Sequence, residues 1–358
     1  IEYIEIEVVD CNALQIDWRG LEKRIESSSP DVVASSALAT CNTYMVARTL
    51  ETAKRVDPNI LTVAGGQHFT ATAQQSLETY PEIDIVVQGE GEQTFTELVK
   101  KADKRSSFAQ IRGISFRRDG KVLHNPPRPF IENLDDLPYP GYHFVKDTVH
   151  KYHFAAMAGR NAPYVLIEGS RGCSHNCTFC SQWRHWQGRW RVKSPERIAD
   201  EMEFCYENYG SRFLWLTDDN FGFGKRASEL ADGIIQRGLG DELMWFTQAR
   251  CDDVVKNRDV LSKLRKSGLR WVLLGVENPR ESTLKTFRKD TTARDAMEAV
   301  KLLKEKDIFT HAMFIIGERK DTAESIENLR DFVDQLDPDM AIFAILTPFP
   351  GTELFEEA

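Results

Sequence analysis

Short β-branched segments alternate with longer amphipathic segments along most of this chain. Parallel strands are joined by helical crossovers of a dozen or more residues, and this alternation is their sequence pattern. The first part of the chain is therefore predicted to form an α/β fold, a doubly wound, Rossmann-like sheet with helices on both faces. The predicted strands are Glu7–Asp10, Asp31–Ala34, Ile60–Ala64 and Ile83–Val87, and the predicted helices are Trp18–Glu26, Tyr44–Val56, Ala71–Tyr80 and Thr94–Ala102.

The first domain is predicted to lack its opening strand and helix. A doubly wound nucleotide-binding unit normally starts with a strand and a helix, whereas residue 1 already lies in strand-like sequence. A smaller sheet is the simpler alternative. The domain is expected to end in a β-hairpin, because Asp119-Gly120 stands between the apolar segments Ile111–Arg117 and Val122-Leu123 and favours a tight turn.

A proline-rich segment marks the boundary between two domains. Five of the 14 prolines fall between Pro126 and Pro140, where they stiffen the chain and interrupt helices and strands. We therefore predict a first domain over residues 1–123, a linker over 124–155 and a second domain over 156–358.

The second domain repeats the alternation at a longer period. Helical segments such as Pro195–Asn208 and Ala293–Lys304 separate six strands, and Ser194 followed by Pro195 is a typical helix start. Because a closed barrel has eight strand and helix units, the sequence predicts a partial (β/α)6 barrel. The predicted strands are Tyr164–Ile167, Phe213–Leu216, Met244–Thr247, Trp271–Leu274, Ala312–Ile316 and Ala341–Leu346.

Composition narrows the classes of partner. The 46 Lys and Arg against 55 Asp and Glu give a net charge of −9, which disfavours nucleic acid as a partner. No apolar run approaches the roughly 20 residues that a membrane span needs. Three of the seven cysteines crowd into eight residues, which indicates reduced thiols in the cytoplasm rather than a secreted disulfide framework.

Cys173, Cys177 and Cys180 form a CxxxCxxC motif just after the first strand of the second domain. Thiolates this close converge on one soft metal centre, either zinc or an iron–sulfur cluster. Structural zinc usually takes two separated pairs of ligands, and here only His175 or His185 could complete the set, so iron–sulfur is favoured. Three thiolates on a four-iron cluster leave one iron open to a substrate or cofactor.

At this motif the sequence resembles the radical S-adenosylmethionine (SAM) superfamily, whose CxxxCxxC loop follows the first strand of a partial (β/α)6 barrel. The resemblance implies a [4Fe–4S] cluster held by the three cysteines, with SAM bound at the open iron. Polar residues at the carboxyl ends of barrel strands would face this site. The implied SAM contacts are Phe179 near the adenine, Asp219 near the methionine moiety, Arg250 near its carboxylate, Glu277 at the ribose or methionine end, and Leu346 at the end of the sixth strand. After the fifth strand, Gly317–Asp321 departs from the turn usual in this superfamily.

The first domain resembles the cobalamin-binding domain of the class B, or B12-dependent, radical enzymes. Glycines at strand ends let the backbone approach a phosphate or a flat ring, at the edge where open α/β sheets bind ligands. From the loops alone a nicotinamide or flavin site fits nearly as well, but the GxGxxG fingerprint is missing. The implied cobalamin contacts are Ser36, Leu38, Thr40, Gly65, Gly66, Gln67, Gly89, Glu90, Gly91 and Glu92.

The resemblance also bears on the axial ligand of the cobalt. The DxHxxG motif that places a histidine on cobalt in methionine-synthase-like domains is missing, and His68 is interpreted as a loop histidine. Base-off cobalamin is implied, with its lower face against residues 36–42 and no histidine bond. Cobalt without a strong axial nitrogen gives up its methyl group as a radical more readily.

Between Trp183 and Lys193, three tryptophans alternate with basic residues. RNA stacking is one interpretation, which the net negative charge disfavours. We expect the tryptophan faces to contact cobalamin or substrate and the cations to contact carboxylates or cofactor phosphate. A packed loop is the alternative.

Together the resemblances imply an oxygen-sensitive methyltransferase acting on an unactivated sp3 carbon. One SAM would donate a methyl cation to reduced cobalamin. A second would be split by one electron, from a donor such as ferredoxin or flavodoxin, to give the 5′-deoxyadenosyl radical that removes hydrogen from the substrate. The substrate radical would take the methyl group from methylcobalamin, and no side-chain acid or base is assigned a catalytic role.

The substrate class is left open between a peptide or protein and a small molecule. One archaeal group with this architecture methylates a glutamine of methyl-coenzyme M reductase, which makes that side chain a specific candidate. Anaerobic cyclases that oxidise a magnesium porphyrin share the architecture and give a second hypothesis. A non-enzymatic cobalamin or metal sensor is the third.

Overall fold

The computed structural model describes residues 4–102, 105–154, 157 and 163–358, which form two compact units. One unit comprises Leu14–Glu132 together with Pro348–Ala358, and we call it the N-terminal unit. The other, the barrel unit, comprises residues 4–13 and Asn133–Thr347. The units thus differ from the predicted domains at both ends of the chain. Among the described residues, no helix is long and apolar enough to cross a membrane.

The N-terminal unit is a five-stranded sheet with helices on both faces. The strand order is β1-β2-β3-β4-β5, with the first three strands parallel and the last two antiparallel. Ala64 and Val86 face one apolar core, and Val63 and Ile85 face the other. The elements are α1 (Trp18–Ser28), β1 (Val32–Ser36), α2 (Thr43–Val56), β2 (Leu61–Gly65), α3 (Gln67–Ala71), α4 (Ala73–Thr79), β3 (Ile85–Val87), α5 (Gly91–Lys100), β4 (Ile114–Arg118) and β5 (Lys121–His124).

The structure corrects one predicted strand and confirms the hairpin. Residues Glu7–Asp10 form no strand and group with the barrel unit, so the sheet begins at β1. The turn between β4 and β5 has φ of 52° at Asp119 and 72° at Gly120. Positive φ at both central residues is the conformation that suits a two-residue hairpin and that Asp-Gly favours.

The barrel unit is built on six parallel strands in the order β13-β12-β11-β10-β9-β6. All six predicted strands are present, and helices follow them as in a partial (β/α)6 barrel. The elements are β6 (Tyr164–Ile167), β7 (Ser170–Arg171), α6 (Gln182–His185), β8 (Arg191–Val192), α7 (Pro195–Tyr209), β9 (Phe213–Leu216), α8 (Lys225–Gln236), β10 (Met244–Arg250), α9 (Cys251–Lys256), α10 (Leu261–Lys266), β11 (Leu269–Glu277), α11 (Glu281–Thr286), α12 (Ala293–Lys304), β12 (Phe309–Ile316), α13 (Ala323–Leu336) and β13 (Met340–Ile345). A short helix of the N-terminal unit, α14 (Glu353–Glu357), follows.

The six-stranded sheet has two different faces. Its helix-covered face carries the main core, which includes Leu214, Trp245 and Phe314. The opposite face carries a separate aromatic cluster around Phe213, Phe246 and Trp271.

Helix α7 carries a buried ionic group. Its cap is the one predicted from the sequence, since the Ser194 hydroxyl accepts a hydrogen bond from the Arg197 amide at 3.1 Å. The Glu201 carboxylate is fully buried. Both of its oxygens accept hydrogen bonds from Lys193 Nζ at 2.7 Å, and one also accepts from Arg197 Nε at 2.8 Å. A buried charge is tolerable only when it is paired and hydrogen-bonded, so Glu201 fixes the start of this helix.

Replacing Glu201 by alanine is expected to destabilise the protein, because it leaves Lys193 and Arg197 without their carboxylate. Breaking a buried ion pair costs about 3–5 kcal/mol, which corresponds to a fall of roughly 10 °C in the thermal melting midpoint. Glu207→Ala, on an exposed position of the same helix, is the control and should melt within about 2 °C of wild type. Equal melting of the two variants would contradict the prediction.

Candidate active site

The three-cysteine loop leaves the barrel through Gly172, which has φ of 89°. A Cβ at this position would overlap the carbonyl oxygen of Arg189 and also touch Trp186. The amide of Gly172 donates to Asp219 Oδ2 at 3.0 Å. Glycine is therefore required here, because both the backbone conformation and the close approach exclude a side chain.

Burial sets the charge state of the three thiols. Cys177 is buried, and Cys173 and Cys180 are half-buried. Burial raises the pKa of Cys173 and Cys177 above the ordinary value and that of Cys180 to about 12. A metal centre must therefore displace the thiol protons and supply positive charge when it binds.

The arrangement of donors bears on which metal centre fits. Within the described residues, no three Cys, His, Asp or Glu side chains are grouped closely enough to hold one metal ion. A multi-iron cluster binds each thiolate at a different iron, so three cysteines in one loop suit such a cluster.

The loop is anchored to the segment that follows α11. The Thr178 amide donates to the Phe287 carbonyl at 3.1 Å, and Cys177 Sγ lies 3.9 Å from the Arg288 carbonyl. The ring of Phe179, predicted to lie near the adenine, meets that of Phe287 edge to face with centroids 5.1 Å apart. These contacts fix the loop between the second and third cysteines.

The tryptophan-rich segment packs around the cysteine loop. Trp183 Nε1 donates to the Cys177 carbonyl at 2.9 Å, and Trp190 Nε1 donates to the Asn220 carbonyl at 3.1 Å. Trp186 is buried, with the guanidinium of Arg191 5.2 Å from its ring centroid. These contacts pack the segment against the cysteine loop and the end of β9.

Two aspartates follow β9 and accept hydrogen bonds from different residues. Asp218 is fully buried and accepts from the Gly169 amide and the Ser170 hydroxyl, each at 2.7 Å. Asp219, the predicted SAM contact, supports Gly172, and burial raises the pKa of its carboxyl to about 6. The two side chains therefore fix residues 169–172, which lead from β6 into the cysteine loop.

Two buried cations lie next to the thiols. Arg250, predicted to face the SAM carboxylate, is held by Asp252 Oδ1 at 3.0 Å and by the Asp290 carbonyl at 3.2 Å. Lys289 Nζ lies 2.7 Å from Glu277 Oε1, and both side chains are 8% exposed. Burial opposes the charge on Lys289, but the Glu277 carboxylate raises its pKa above the ordinary value. Both cations favour the thiolate forms of Cys173 and Cys177.

A glycine makes room for the ion pair between Glu277 and Lys289. A Cβ on Gly275 would lie 2.7 Å from both Glu277 Oε1 and Lys289 Nζ. The strand register shifts between Gly275 and Glu277, and Glu277 has φ of 65°. This backbone conformation is rare for a residue with a side chain and is typical of functional sites.

Lys289 is the residue that sequence reasoning missed. It lies in the charged run Arg288–Asp290 after α11, which looks like an exposed turn in the sequence. Its burial depends on Gly275 and on the bulge at Glu277, and neither leaves a pattern near Lys289 in the sequence.

Leu346, the remaining predicted SAM contact, lies at the end of the six-stranded sheet. The Leu346 amide extends the β12–β13 pairing by donating to the Ile316 carbonyl at 2.7 Å, and its side chain is half-buried. In the neighbouring loop, Asp321 Oδ2 accepts from the amides of Gly317 and Glu318 at 2.8 and 3.0 Å. This carboxylate shapes the loop that departs from the superfamily pattern.

In the N-terminal unit, the predicted cobalamin residues cluster at the carboxyl ends of β1, β2 and β3. Ser36 ends β1, and the next amide, of Ala37, donates to Gly65 O at 3.0 Å. Gly66 has φ of 90°, and a Cβ there would overlap the Ala37 carbonyl. His68 Nδ1 and Thr40 Oγ1 lie 3.1 Å apart. The loops that carry Ser36, Gln67 and their neighbours are thus fixed to each other by backbone contacts.

The same edge offers an apolar and open surface. Leu38 is 69% exposed, and nearby Tyr44 and Met45 are exposed as well. A Cβ added at Gly89 or Gly91 would meet nothing within 4 Å, while Glu90 and Glu92 flank Gly91 in the chain. An exposed leucine beside glycine backbone fits a flat, largely apolar ring system such as corrin.

Comparisons with known proteins agree with this architecture. The radical SAM superfamily matches residues 167–333, and the B12 binding domain matches residues 2–99. An uncharacterised methyltransferase of Pyrococcus horikoshii is 33% identical over 99% of this chain and 75% of its own length. An anaerobic magnesium-protoporphyrin IX monomethyl ester cyclase of Cereibacter sphaeroides is 33% identical over 99% of this chain and 57% of its own. The solved structure of the radical SAM methyltransferase TsrM from Kitasatospora setae, with cobalamin and a [4Fe–4S] cluster bound, has the same fold. It is 20% identical, with a TM-score of 0.80 over 99% of this chain and 69% of that one.

Fold, site and matches define a radical SAM enzyme with an attached B12-binding domain. The chain belongs to the family of cobalamin-dependent radical SAM methyltransferases. The cofactors of these domains are a [4Fe–4S] cluster, SAM and cobalamin.

Gly172→Ala is expected to lose most of its iron on anaerobic reconstitution, because a Cβ would overlap the Arg189 carbonyl and the loop would shift. Gly188→Ala is the matched control, since Gly188 also has positive φ, 70°, but open space around it. The control costs only about 1 kcal/mol of backbone strain. Iron and sulfide content per chain are the measurements, and normal iron in Gly172→Ala would contradict the assignment of this loop.

Proposed function

We propose that this chain transfers a methyl group from methylcobalamin to an unactivated sp3 carbon, after hydrogen abstraction by the 5′-deoxyadenosyl radical. The observation that carries the proposal is the cysteine loop fixed by Gly172 beside the buried cations Arg250 and Lys289. When bound, the cluster, SAM and cobalamin supply the radical and methyl-transfer chemistry. The work of the chain is then to position the reactants and exclude water.

The cluster would be held by Cys173, Cys177 and Cys180. Arg250 and Lys289 offset the negative charge that three buried thiolates bring, and Lys289 keeps its own charge because Glu277 is bonded to it. In this proposal Arg250 also meets the SAM carboxylate, and Glu277 meets the ribose or methionine end. Phe179 and Leu346 would bound the adenine side, and Asp219 holds the loop in place.

Cobalamin would be held base-off against the loop that contains Leu38 and Thr40. The exposed side chain of Leu38 supports this placement, because an aliphatic group can cover the lower face of cobalt without forming a bond to it. His68 is half-buried, and its Nδ1 lies at hydrogen-bond distance from Thr40. Burial lowers the pKa of His68, which keeps the ring neutral near pH 7.

The methyl acceptor is proposed to be a peptide or protein side chain, with a glutamine of methyl-coenzyme M reductase as the specific candidate and a small molecule as the alternative. The electron would come from a ferredoxin or flavodoxin in an anaerobic cytoplasm. A second candidate function is oxidative cyclisation of a magnesium porphyrin, favoured by the 33% identity with the Cereibacter cyclase. A gain of one methyl group in the product distinguishes methyl transfer from ring closure.

The reconstituted holoenzyme is expected to form 5′-deoxyadenosine and S-adenosylhomocysteine under anaerobic reducing conditions, measured by mass spectrometry. Cys173→Ala should form no 5′-deoxyadenosine, because the cluster loses a ligand. Cys205→Ala, a buried cysteine on α7, is the control and should retain the product. Persistence of 5′-deoxyadenosine in Cys173→Ala would overturn the radical assignment, and 5′-deoxyadenosine without S-adenosylhomocysteine would overturn methyl transfer alone.

Electron paramagnetic resonance of the bound cob(II)alamin tests the base-off state. We expect no hyperfine splitting from an axial histidine nitrogen, and His68→Ala should give the same spectrum as wild type. A nitrogen splitting that disappears in His68→Ala would show that His68 binds the cobalt, contrary to the proposal.

A further inference from the structure

The open face of the six-stranded sheet in the barrel unit differs in exposure from the helix-covered face. Side chains on the helix side, such as Leu214, Val272 and Phe314, are buried. On the opposite face, Trp215, Gln248, Leu273 and Met313 are half-exposed above the aromatic cluster. This face is therefore less completely covered than the helix side, and the half-exposed side chains on it are mainly apolar.

His311 lies on that open face, as the third residue of β12. Its chain neighbours Thr310 and Ala312 point to the opposite side, because successive side chains of a strand alternate and Ala312 belongs to the helix-side core. Across the sheet, His311 is in register with Leu273 on β11 and Met340 on β13. The imidazole therefore projects among the apolar side chains of that face.

Neither nitrogen of the His311 imidazole forms a hydrogen bond with the residues that the structure describes. The residue is 6% exposed. Burial lowers its pKa, so the ring is neutral and has one donor and one acceptor nitrogen. His124, by contrast, is paired with Ser115 at 2.7 Å and Gln74 at 2.8 Å, and His68 with Thr40 at 3.1 Å. Buried polar groups are nearly always satisfied, so the exception requires an explanation.

A second unpaired group lies on the same face. Trp215 Nε1 is buried without a partner among the described residues, and Trp215 follows Phe213 of the aromatic cluster by two positions on β9. Trp215 on β9 and His311 on β12 lie three strands apart in the sheet, so each unpaired group is a separate observation.

We propose that His311 hydrogen-bonds the methyl acceptor, which carries a neutral hydrogen-bonding group (a hydroxyl, carbonyl or amide) on an apolar body. The apolar body lies against Leu273 and Met313. This inference rests on the proposed function and adds the chemical class of its acceptor and a positioning residue. His311 orients the acceptor and does not take part in hydrogen abstraction or methyl transfer.

Equilibrium dialysis of the reconstituted holoenzyme against two probes of equal shape tests the proposal. The probes are 2-naphthol, which has a hydroxyl group, and 2-methylnaphthalene, which has a methyl group in its place. Wild type is expected to bind 2-naphthol about tenfold more tightly, since satisfying a buried polar group changes affinity by about that factor. His311→Leu should lose the preference, and His311→Gln, which keeps a donor and an acceptor, should retain part of it.

Thr247→Val is the matched control. The Thr247 hydroxyl is also buried without a partner among the described residues, but it alternates with Phe246 and lies on the helix side. Thr247→Val should keep the tenfold preference, and the melting midpoints of Thr247→Val and His311→Leu should both stay near wild type, because replacing an unpaired polar group by an apolar one is nearly neutral.

Three results would overturn the proposal: no preference in wild type, binding of neither probe, or a preference that survives in His311→Leu. A large fall in melting midpoint for His311→Leu alone would also overturn it, since it would show a structural partner. The dialysis requires no turnover, so a chain with the binding preference but without 5′-deoxyadenosine would fail only the proposed function.

Discussion

Burying three thiolates in one loop is the constraint on which the barrel unit depends. Cys177 is buried, Cys173 and Cys180 are half-buried, and burial alone favours the uncharged thiols. The buried cations Arg250 and Lys289 counteract this effect of burial on the thiols. Each cation is in turn bonded to a carboxylate, Asp252 or Glu277. The ion pair between Glu277 and Lys289 leaves no room for a Cβ at Gly275. Glu277 itself has a left-handed backbone conformation. One electrostatic requirement thus shapes the ends of two strands and the segment after α11.

Steric requirements act at the other end of the same loop. Gly172 packs so closely against Trp186 and the Arg189 carbonyl that no side chain fits where the chain leaves β7, and its amide is bonded to Asp219. The tryptophan-rich segment continues this packing, with Trp183 bonded to the carbonyl of Cys177. The cysteines are therefore placed by rigid neighbours, which is how binding sites hold their ligands in a productive geometry.

Much of the fold could be predicted from sequence, because period and turn chemistry are local signals. The six barrel strands, the hairpin at Asp119-Gly120 and the cap at Ser194 all follow from short patterns. The strand predicted at Glu7–Asp10 was wrong, because β-branched composition does not tell whether a partner strand is available. Lys289 and His311 could not be recognised, because their roles arise from contacts with residues distant in sequence. The cysteine motif was recognisable because its spacing is itself the signal.

Residues 4–13 group with the barrel unit and Pro348–Ala358 with the N-terminal unit, so the chain passes between the two units three times, near residues 13, 132 and 347. Gly351, for example, lies against the methyl group of Ala71 in the N-terminal unit. A single cut in the proline-rich segment would leave each fragment carrying a piece of the other unit. Neither fragment would then hold all the residues that pack together in its own unit.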